Sequence, residues 1–481
     1  MKESVMATKI TVIGAGPGGY ISAIRAAQLG AEVTVIERDN VGGTCLNQGC
    51  IPSKIMITTA EMLERFHRAK EFGIALDGKV APDMYALMAR KEKVIQSQSK
   101  GILGLFSHHN IRYLKGDGRI KGPGLVAVRQ EDGETEVRWD KLILALGTQP
   151  FSIPAFPFDG DNILSSNHGL SLREIPESIL IVGGGVIGCE FAFILNALGS
   201  KVTVVEALSR VLPLPSVDED CSKVLQREMK KRKINVIVNR TVEKVEDNAG
   251  KLRATIGPSP FLEKPTEKDK KLRTAEVHKM LVCIGRSPLT ADIGLETIEL
   301  KTDERGWIPA NEQMETDVPG VYAIGDVLGP PKIMLAHVAS AEGMVAAENA
   351  MGEARQMNYD VVPGAIFTTP EVANVGLTEA QAKEKGYNAR GDSVLFRTLG
   401  KAQVIGEIAG QAKIVSDAES GKVLGVHIIG PHATDLIAEG TLAVQMGCTV
   451  KDLAETIHAH PTLAEIMLEA SLKGLDRSLH G

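Results

Sequence analysis

One strand–loop–helix–strand signature occurs twice in this sequence, and no other feature limits the fold as much. Ile10-Thr11-Val12-Ile13 runs into Gly14-Ala15-Gly16-Pro17-Gly18-Gly19, an Ala-rich stretch to Leu29-Gly30, and Ala31-Glu32-Val33-Thr34-Val35-Ile36-Glu37. The second copy is Ile179-Leu180-Ile181-Val182, then Gly183-Gly184-Gly185-Val186-Ile187-Gly188, a stretch to Leu198-Gly199, and Lys201-Val202-Thr203-Val204-Val205-Glu206. Gly14 to Gly183 and Glu37 to Glu206 are both 169 positions apart. A lone glycine fingerprint is often a chance turn. Here each copy has a β-branched run before it, a helical stretch after it, a second run, and an acid 18 residues past the last glycine. That is the setting of a Rossmann dinucleotide loop. Gly14 and Gly183 permit the tight turn, and Gly16 and Gly185 let a pyrophosphate approach the backbone. Gly19 and Gly188 let helix and strand pack closely, with the helix N-terminus favouring the anion. Glu37 and Glu206 are the expected acceptors for a ribose diol. The plainer alternative for each is an acid ending a strand at the surface.

Shortly after the first acid comes Gly42-Gly43-Thr44-Cys45-Leu46-Asn47-Gln48-Gly49-Cys50-Ile51-Pro52-Ser53-Lys54. An ideal helix holds residues i and i+5 about 8.6 Å apart between Cα atoms, and an extended chain more than about 15 Å. A disulfide needs less than about 7 Å. If Cys45 and Cys50 are bonded, the backbone between them must be a bent or loosened helical turn. Gly49 would allow it, and Pro52 would let a helix restart. A cysteine pair beside a nucleotide loop is a device for moving two electrons between sulfur and the cofactor. Metal ligation is the rival reading, but no second Cys/His pair stands at zinc spacing. No metal is expected. Cys189, Cys221, Cys283 and Cys448 read as small buried hydrophobes.

Length suggests about three domains, and 43% hydrophobic with 24% charged residues is ordinary for a globular chain. The net charge of −6, with both signs interspersed, lacks the basic footprint of a nucleic-acid or anionic-membrane partner. The densest charge run, Thr266 to Arg273, reads as a solvated loop or hairpin tip. No apolar run reaches the roughly 18 residues of a membrane span. The first nine residues are too short and polar for a signal or transit peptide. A cytoplasmic location is therefore expected, although a mature organellar form reads the same way.

Further strands are expected at Lys141–Thr148, Met280–Arg286 and Val321–Asp326, with a helix from about Leu335 to Ala350. A stretch holding Pro150, Pro154 and Pro157 reads as a linker. After Met351 strands such as Lys422–Gly430 alternate with helices, which suggests a separate α+β domain.

Gly14–Gly19, Gly42–Lys54, Gly183–Glu190, Ala323–Val327, Met334–His337 and His458-Ala459-His460-Pro461-Thr462-Leu463-Ala464-Glu465 occur in the order found in flavin-dependent disulfide reductases. The chain resembles that family over essentially its full length, and most of all the branch that oxidises dihydrolipoyl groups. The resemblance implies an α/β fold class: two Rossmann-like dinucleotide-binding domains plus a C-terminal α+β dimerisation domain. Residues 1–150 and 280–350 would bind FAD, 151–279 would bind NAD, and 351–481 would form the dimer interface.

The resemblance also implies roles for single residues. Asp326 would bind ribityl hydroxyls, and the helix amides near Ala336 and His337 would face the flavin pyrimidine, stabilising negative charge there. Gly118, in a Gly116-Asp117-Gly118 string that alone reads as a β-turn, and Gly285 are further cofactor contacts. Lys54 and Glu190 would pair beside the flavin at the nicotinamide. Cys45 would be the interchange thiol that meets substrate, and Cys50 would face the flavin. His460 would be the base, oriented by Glu465. Pro461 suits the first turn of a helix over Thr462–Ser471, with His460 at its cap. His458 is left as a structural residue.

The implied cycle starts when His460 takes a proton from a dithiol substrate, whose thiolate attacks Cys45 in a Cys45–Cys50 disulfide. The second thiol resolves the mixed disulfide, Cys50 passes the electron pair to FAD, and the flavin delivers hydride to NAD⁺. The substrate would be a dihydrolipoyl group on a carrier domain of a 2-oxoacid dehydrogenase or glycine cleavage complex. A homodimer is implied, each site taking its base from the partner chain. Leu146, Gln48 and Val338 depart from the residues more usual in the family. The alternatives are a glutathione reductase relative, disfavoured by Glu206 although Arg210 is close by, and a mercuric reductase relative, which would carry a C-terminal cysteine pair rather than the solitary Cys448. An NADH oxidase with a single redox cysteine and a purely structural subunit of a large complex complete the set.

Overall fold

The structure is a computed structural model and describes residues 7–480. The chain divides into two compact units. One comprises the residues up to Ile55, Tyr85–Phe151 and Gly285–Tyr359. The other comprises Met56–Met84, Ser152–Ile284 and the residues from Asp360 onward.

In the first unit five parallel strands lie in the order Val321–Ala323, Lys141–Leu144, Lys9–Ile13, Glu32–Glu37, Arg112–Lys115. The central strands are runs of Val, Ile and Leu, and Val12, Val35, Leu142, Ile143 and Leu144 are fully buried. Such continuous apolar strands are expected when both faces of a parallel sheet are covered. The helices Pro17–Gln28 and Ala336–Ala350 pack together through small residues: a Cβ on Gly343 would lie 2.5 Å from the Gly18 carbonyl oxygen. Between the strands Arg112–Lys115 and Lys141–Leu144 the chain makes a three-stranded antiparallel meander, Asp117–Gly122, Leu125–Gln130 and Gly133–Arg138.

The second unit repeats this plan. Its parallel sheet runs Asn235–Ile237, Lys201–Val205, Ser178–Val182, Lys279–Val282, Ile163–Leu164. A meander of Arg240–Asn248, Lys251–Pro258 and Arg273–Val277 again lies between two strands of the parallel sheet, Asn235–Ile237 and Lys279–Val282. The strand at position 280, Lys279–Val282, pairs with Ser178–Val182 and so completes this second sheet; the chain returns to the first unit at Gly285. The charge run at 266–273 is a helical turn, Glu267–Lys270, capped by the Thr266 hydroxyl, in the connection between two meander strands.

The same unit contains a five-stranded antiparallel sheet, Gly364–Ile366, Glu371–Gly376, Val423–Gly430, Gln411–Asp417, Ala389–Leu395. The helices Ala433–Met446 and Glu465–Gly474 cover it, closing a core of Val375, Phe396, Ile414, Val426, Ile428 and Met467. The chain is therefore α/β with an α+β C-terminal part. Among the described residues no helix is long and apolar enough to cross a membrane. Positions 1–6 of the segment read as too short for a leader lie outside the described residues.

Candidate active site

The two glycine loops are built alike at their first and last glycines. Gly14 and Gly183 adopt φ of +100° and +103°, where a side chain is strained and a Cβ would overlap the carbonyl oxygens of Ala145 and Cys283. At Gly19 and Gly188 a Cβ would overlap the carbonyl of Gly14 and Gly183, so helix and strand approach only through glycine. Between them, Gly185 has nothing within 4 Å of its Cβ direction, and Gly16 meets only the Gly43 Cα, at 3.9 Å. This leaves an open cradle over a helix N-terminus, the shape and polarity that a pyrophosphate needs. The acids close each loop from the far strand. Glu37 accepts from the amides of Ala15 and Asp39 at 2.7 and 2.8 Å. Glu206 accepts from those of Gly184 and Leu208 at 2.5 and 2.7 Å. Both acids are buried, and burial pushes the Glu37 carboxyl up against the opposing pull of its two amide donors. Each carboxylate keeps acceptor capacity beyond these two bonds.

The cysteine segment is attached to the first loop. The Gly42 amide donates to the Ala15 carbonyl at 2.8 Å, and a Cβ on Gly43 would lie 2.6 Å from the Gly16 Cα. The short helix Gly43–Gln48 ends at Gly49 (φ −152°, ψ −112°), and a new helix, Cys50–His67, starts on the next residue. The interrupted helix expected from the cysteine spacing is present, with Pro52 in the first turn of the second helix, where its missing N–H costs nothing. Cys45 and Cys50 are free thiols in this structure. The Cys45 thiol is pushed well above its ordinary range, first by its hydrogen bond to Cys50, then by burial and by charge on Cys50, against the pull of Lys54. Cys50 opens an 18-residue helix, whose amide dipoles favour a thiolate there.

In the same unit Asp326 sits in a 3₁₀ turn, Gly325–Leu328, after the strand Val321–Ala323. The buried Thr148 hydroxyl donates to Asp326 Oδ2 at 3.0 Å and accepts from Arg286 Nε at 2.6 Å, while Arg286 Nη2 donates to the Thr148 carbonyl at 2.8 Å. Burial lowers the Arg286 guanidinium, and the charges of Asp326 and Cys50 oppose that. The cation is thus close enough to feel charge on Cys50. Sequence reasoning missed Arg286 as a functional residue; its one signal was an Arg directly after Gly285 at a strand end. It also missed Glu342, which is 1% exposed and accepts from the Gly325 amide and the Tyr359 hydroxyl, each at 2.6 Å. Glu342 fixes the turn that presents Asp326. Burial raises its carboxyl, against the pull of these two donors.

Ala336 and His337 are the first two residues of the helix Ala336–Ala350, as expected. Gly118 lies in a strand rather than a β-turn, and a Cβ there would press on Ile36 at 3.0 Å, next to Glu37. Gly285 (φ +136°) accepts from the Phe151 amide at 3.0 Å. Lys54 lies in the first turns of the cysteine-bearing helix and donates to Ser53 Oγ at 3.3 Å. The departures Leu146 and Val338 belong to hydrophobic packing, Leu146 against the first core and Val338 at 1% exposure.

In the second unit Glu190 is 6% exposed on the helix Val186–Leu198 and accepts from the Phe367 amide at 3.0 Å. Arg210 spends both Nη groups: it donates to the carbonyls of Leu212, Leu214 and Val217 at 3.0 Å and to Ser222 Oγ at 2.5 Å. His460 Nδ1 is 2.8 Å from Glu465 Oε1, and Glu465 Oε2 accepts from the Thr462 amide at 2.9 Å. The Glu465 carboxyl is held below its usual range: burial alone would raise it, but the Thr462 amide and the His460 ring outweigh that. The imidazole is 76% exposed.

One expectation fails here. The helix starts at Glu465, not at Thr462, and runs to Gly474. The His460–Pro461 peptide is cis, Thr462 spends its amide on Glu465 and its hydroxyl on the Ala459 carbonyl, and residues 460–464 form a loop. Pro461 therefore precedes the helix, and His460 is a loop residue rather than a cap. Among the described residues no cluster of three or more His, Cys, Asp or Glu side chains could hold a metal ion.

Residues 8–343 match the family described as pyridine nucleotide-disulphide oxidoreductase, and residues 362–471 match its dimerisation domain. The chain is 41% identical over 471 residues to a dihydrolipoyl dehydrogenase of Chlamydia muridarum, covering 98% of this chain and 97% of that one. It is 38% identical to dihydrolipoyl dehydrogenase 1, mitochondrial, of Arabidopsis thaliana, covering 98% and 91%. The crystal structure of LpdA from Mycobacterium tuberculosis has the same fold, with a TM-score of 0.88 at 28% identity, covering 97% of this chain and 99% of that one. Twin nucleotide loops, a cysteine pair bound to the first of them and a full-length likeness lead to one assignment: the chain belongs to the pyridine nucleotide-disulphide oxidoreductase family.

Proposed function

We propose that this protein oxidises the dihydrolipoyl group of a 2-oxoacid dehydrogenase or glycine cleavage complex, using FAD at the first loop and NAD⁺ at the second. The observation that carries the reading is the Cys45–Cys50 pair at a helix start, tied through Gly42 to the first loop. When bound, the flavin relays two electrons from the sulfur pair to NAD⁺.

The residues divide the remaining work. In the oxidised pair Cys45 is the sulfur attacked by a substrate thiolate, and the second substrate thiol resolves the mixed disulfide. His460 accepts the substrate proton while the Glu465 carboxylate holds the ring by Nδ1. Asp326, Gly118, Gly285, Ala336 and His337 hold the flavin, and Lys54 and Glu190 serve the nicotinamide of NAD⁺ beside it. With both Nη groups of Arg210 engaged, a 2′-phosphate would meet the Glu206 carboxylate, which supports NAD over NADP.

We assign 1–150 with 285–350 to FAD, 151–284 to NAD, where the strand Lys279–Val282 completes the second sheet, and 351–481 to a homodimer interface, in a cytoplasmic protein. Leu442, Met446 and Ile457 leave large apolar side chains exposed on that last part, Ile457 at 97%, which supports pairing with a second copy. Each active centre is then completed by His460 of the partner subunit.

The decisive comparison uses purified protein: dihydrolipoamide with NAD⁺ against oxidised glutathione with NADPH, recording the flavin spectrum. Turnover is expected in the first assay. Activity confined to the second assay would overturn the reading, and assembly with a partner complex but no dithiol oxidation would favour a structural subunit.

A further inference from the structure

His458 stands two residues before His460, and no step above uses it. Its side chain is 5% exposed, and both ring nitrogens are engaged. Nε2 lies 2.9 Å from Glu439 Oε1, and Nδ1 lies 2.9 Å from the Thr456 carbonyl oxygen. A carbonyl oxygen only accepts, and so does an ionised carboxylate. A neutral imidazole has one N–H, so one of these contacts would set a nitrogen lone pair against an oxygen lone pair. Glu439 is 31% exposed, and its carboxylate, like the Thr456 carbonyl, offers only acceptor oxygens. Only the imidazolium, a donor at both nitrogens, satisfies both oxygens.

We propose that Glu439 and the Thr456 carbonyl hold His458 as an imidazolium at neutral pH, a fixed positive charge that faces Glu465 and opposes that carboxylate's pull on the proton handled by His460. His458 is on this view a positioning residue, and the inference rests on the reading of His460 as the base. The charged groups that face it are Glu439, from the helix Ala433–Met446, and Glu465, at the head of the last helix; His460 shares its loop. The Glu439 bond lifts the His458 ring above the usual histidine range despite burial, and Thr456 and Glu465 act in the same direction. In return the His458 charge helps hold Glu465 ionised. The consequence for His460 follows from the signs. The Glu465 carboxylate pulls on the proton that the base must accept and return, and a cation facing the same carboxylate opposes that pull.

The test reads protonation and pH dependence separately. In ¹⁵N-histidine spectra of the flavin-loaded protein at pH 8, one of its eleven histidines should keep both ring nitrogens protonated, and that signal should vanish in His458→Gln. In the same variant the acid limb of kcat/KM for dihydrolipoamide should move up by roughly 0.3–1 pH unit, the size expected for removal of one solvent-screened charge. Flavin content and the high-pH plateau should stay near wild type. A neutral, single-tautomer His458 at pH 8 overturns the inference, and so does an unmoved acid limb in a flavin-loaded variant. Should His458→Gln fail to assemble, neutron diffraction of the wild-type protein decides by showing deuterium on both ring nitrogens or on one. Unchanged turnover in His460→Gln would instead strike the parent reading, with the protonation of His458 still decided by the spectra.

Discussion

Cys45 and Cys50 carry the same thiol, yet their surroundings divide the work between them. Cys45 keeps its proton because it donates to Cys50 in a partly buried site, and Cys50 opens a long helix within reach of the Arg286 charge. Replacing Cys50 by Ser should abolish dithiol turnover while leaving the flavin absorbance of the purified protein intact; loss of flavin would undermine the role given to Cys50. The Thr148 hydroxyl links Arg286 to Asp326, so Thr148→Val should strand a buried guanidinium donor. The expected cost is about 1–3 kcal/mol in urea unfolding. Glu465 gives a pH-dependent signature. Its folded value lies below the ordinary 4.5, so its stabilisation is present above about pH 4.5 and is lost as pH falls through the lowered value. Glu465→Gln should therefore be less stable than wild type at neutral pH, with the gap closing in acid. An equal gap at both pH values would refute this.

At the scale of elements, two matching loops should bind two different cofactors independently. A Cβ at position 19 or 188 meets a carbonyl oxygen that cannot move without opening its loop. Gly188→Ala should abolish NADH binding, followed by fluorescence titration, yet retain flavin, and Gly19→Ala should yield colourless apoprotein. Loss of both cofactors in either variant would mean that the loops are not separate sites. The copies differ where the chemistry enters. Glu37 to Arg112 spans 75 positions and Glu206 to Asn235 only 29, and the excess holds the two cysteine-bearing helices and the long helix Met84–His108. The repeated loops were legible because glycine, β-branched runs and an acid recur at fixed spacing. The repeated meanders were not, because antiparallel hairpins of mixed residues carry no fixed spacing.

For the whole molecule, the second unit is tied through a buried charge cluster. Lys413, on the strand Gln411–Asp417, donates to Asp218 at 2.9 Å and to Asp220, at the start of the helix Glu219–Lys231. Burial would lower the Lys413 ammonium, and the two aspartates more than offset it. Lys413→Ala should cost about 3–5 kcal/mol by leaving Asp218 buried and unpaired, and Lys413→Met with Asp218→Asn much less, measured by chemical denaturation. The dimer reading has a test of its own at this scale. Cys45→Ser and His460→Ala homodimers should both be inactive, whereas co-expressed hybrids should regain turnover, because one of their two centres combines an intact Cys45 with an intact His460. Hybrids without activity would mean that the base acts within its own chain.

By itself the sequence determined the two nucleotide loops and the interrupted helix that a Cys45–Cys50 bond would need, and the pairing of His460 with Glu465 came from the likeness of its string to a known family. The first two rest on local spacing: glycine where a carbonyl crowds the backbone, and a helix restarted after Gly49. Only the tertiary structure decided the rest. Arg286, Thr148 and Asp326 lie far apart in the chain and meet at strand ends. Glu342 reaches Gly325 and Tyr359 from a helix, and Arg210 is consumed by a loop that folds around it. The start of the last helix was misread because Thr462 bonds a side chain and a loop carbonyl instead of the helix ladder. His458 looked structural in the string His-Ala-His, and its charge state became readable only when Glu439, from another helix, supplied the second oxygen.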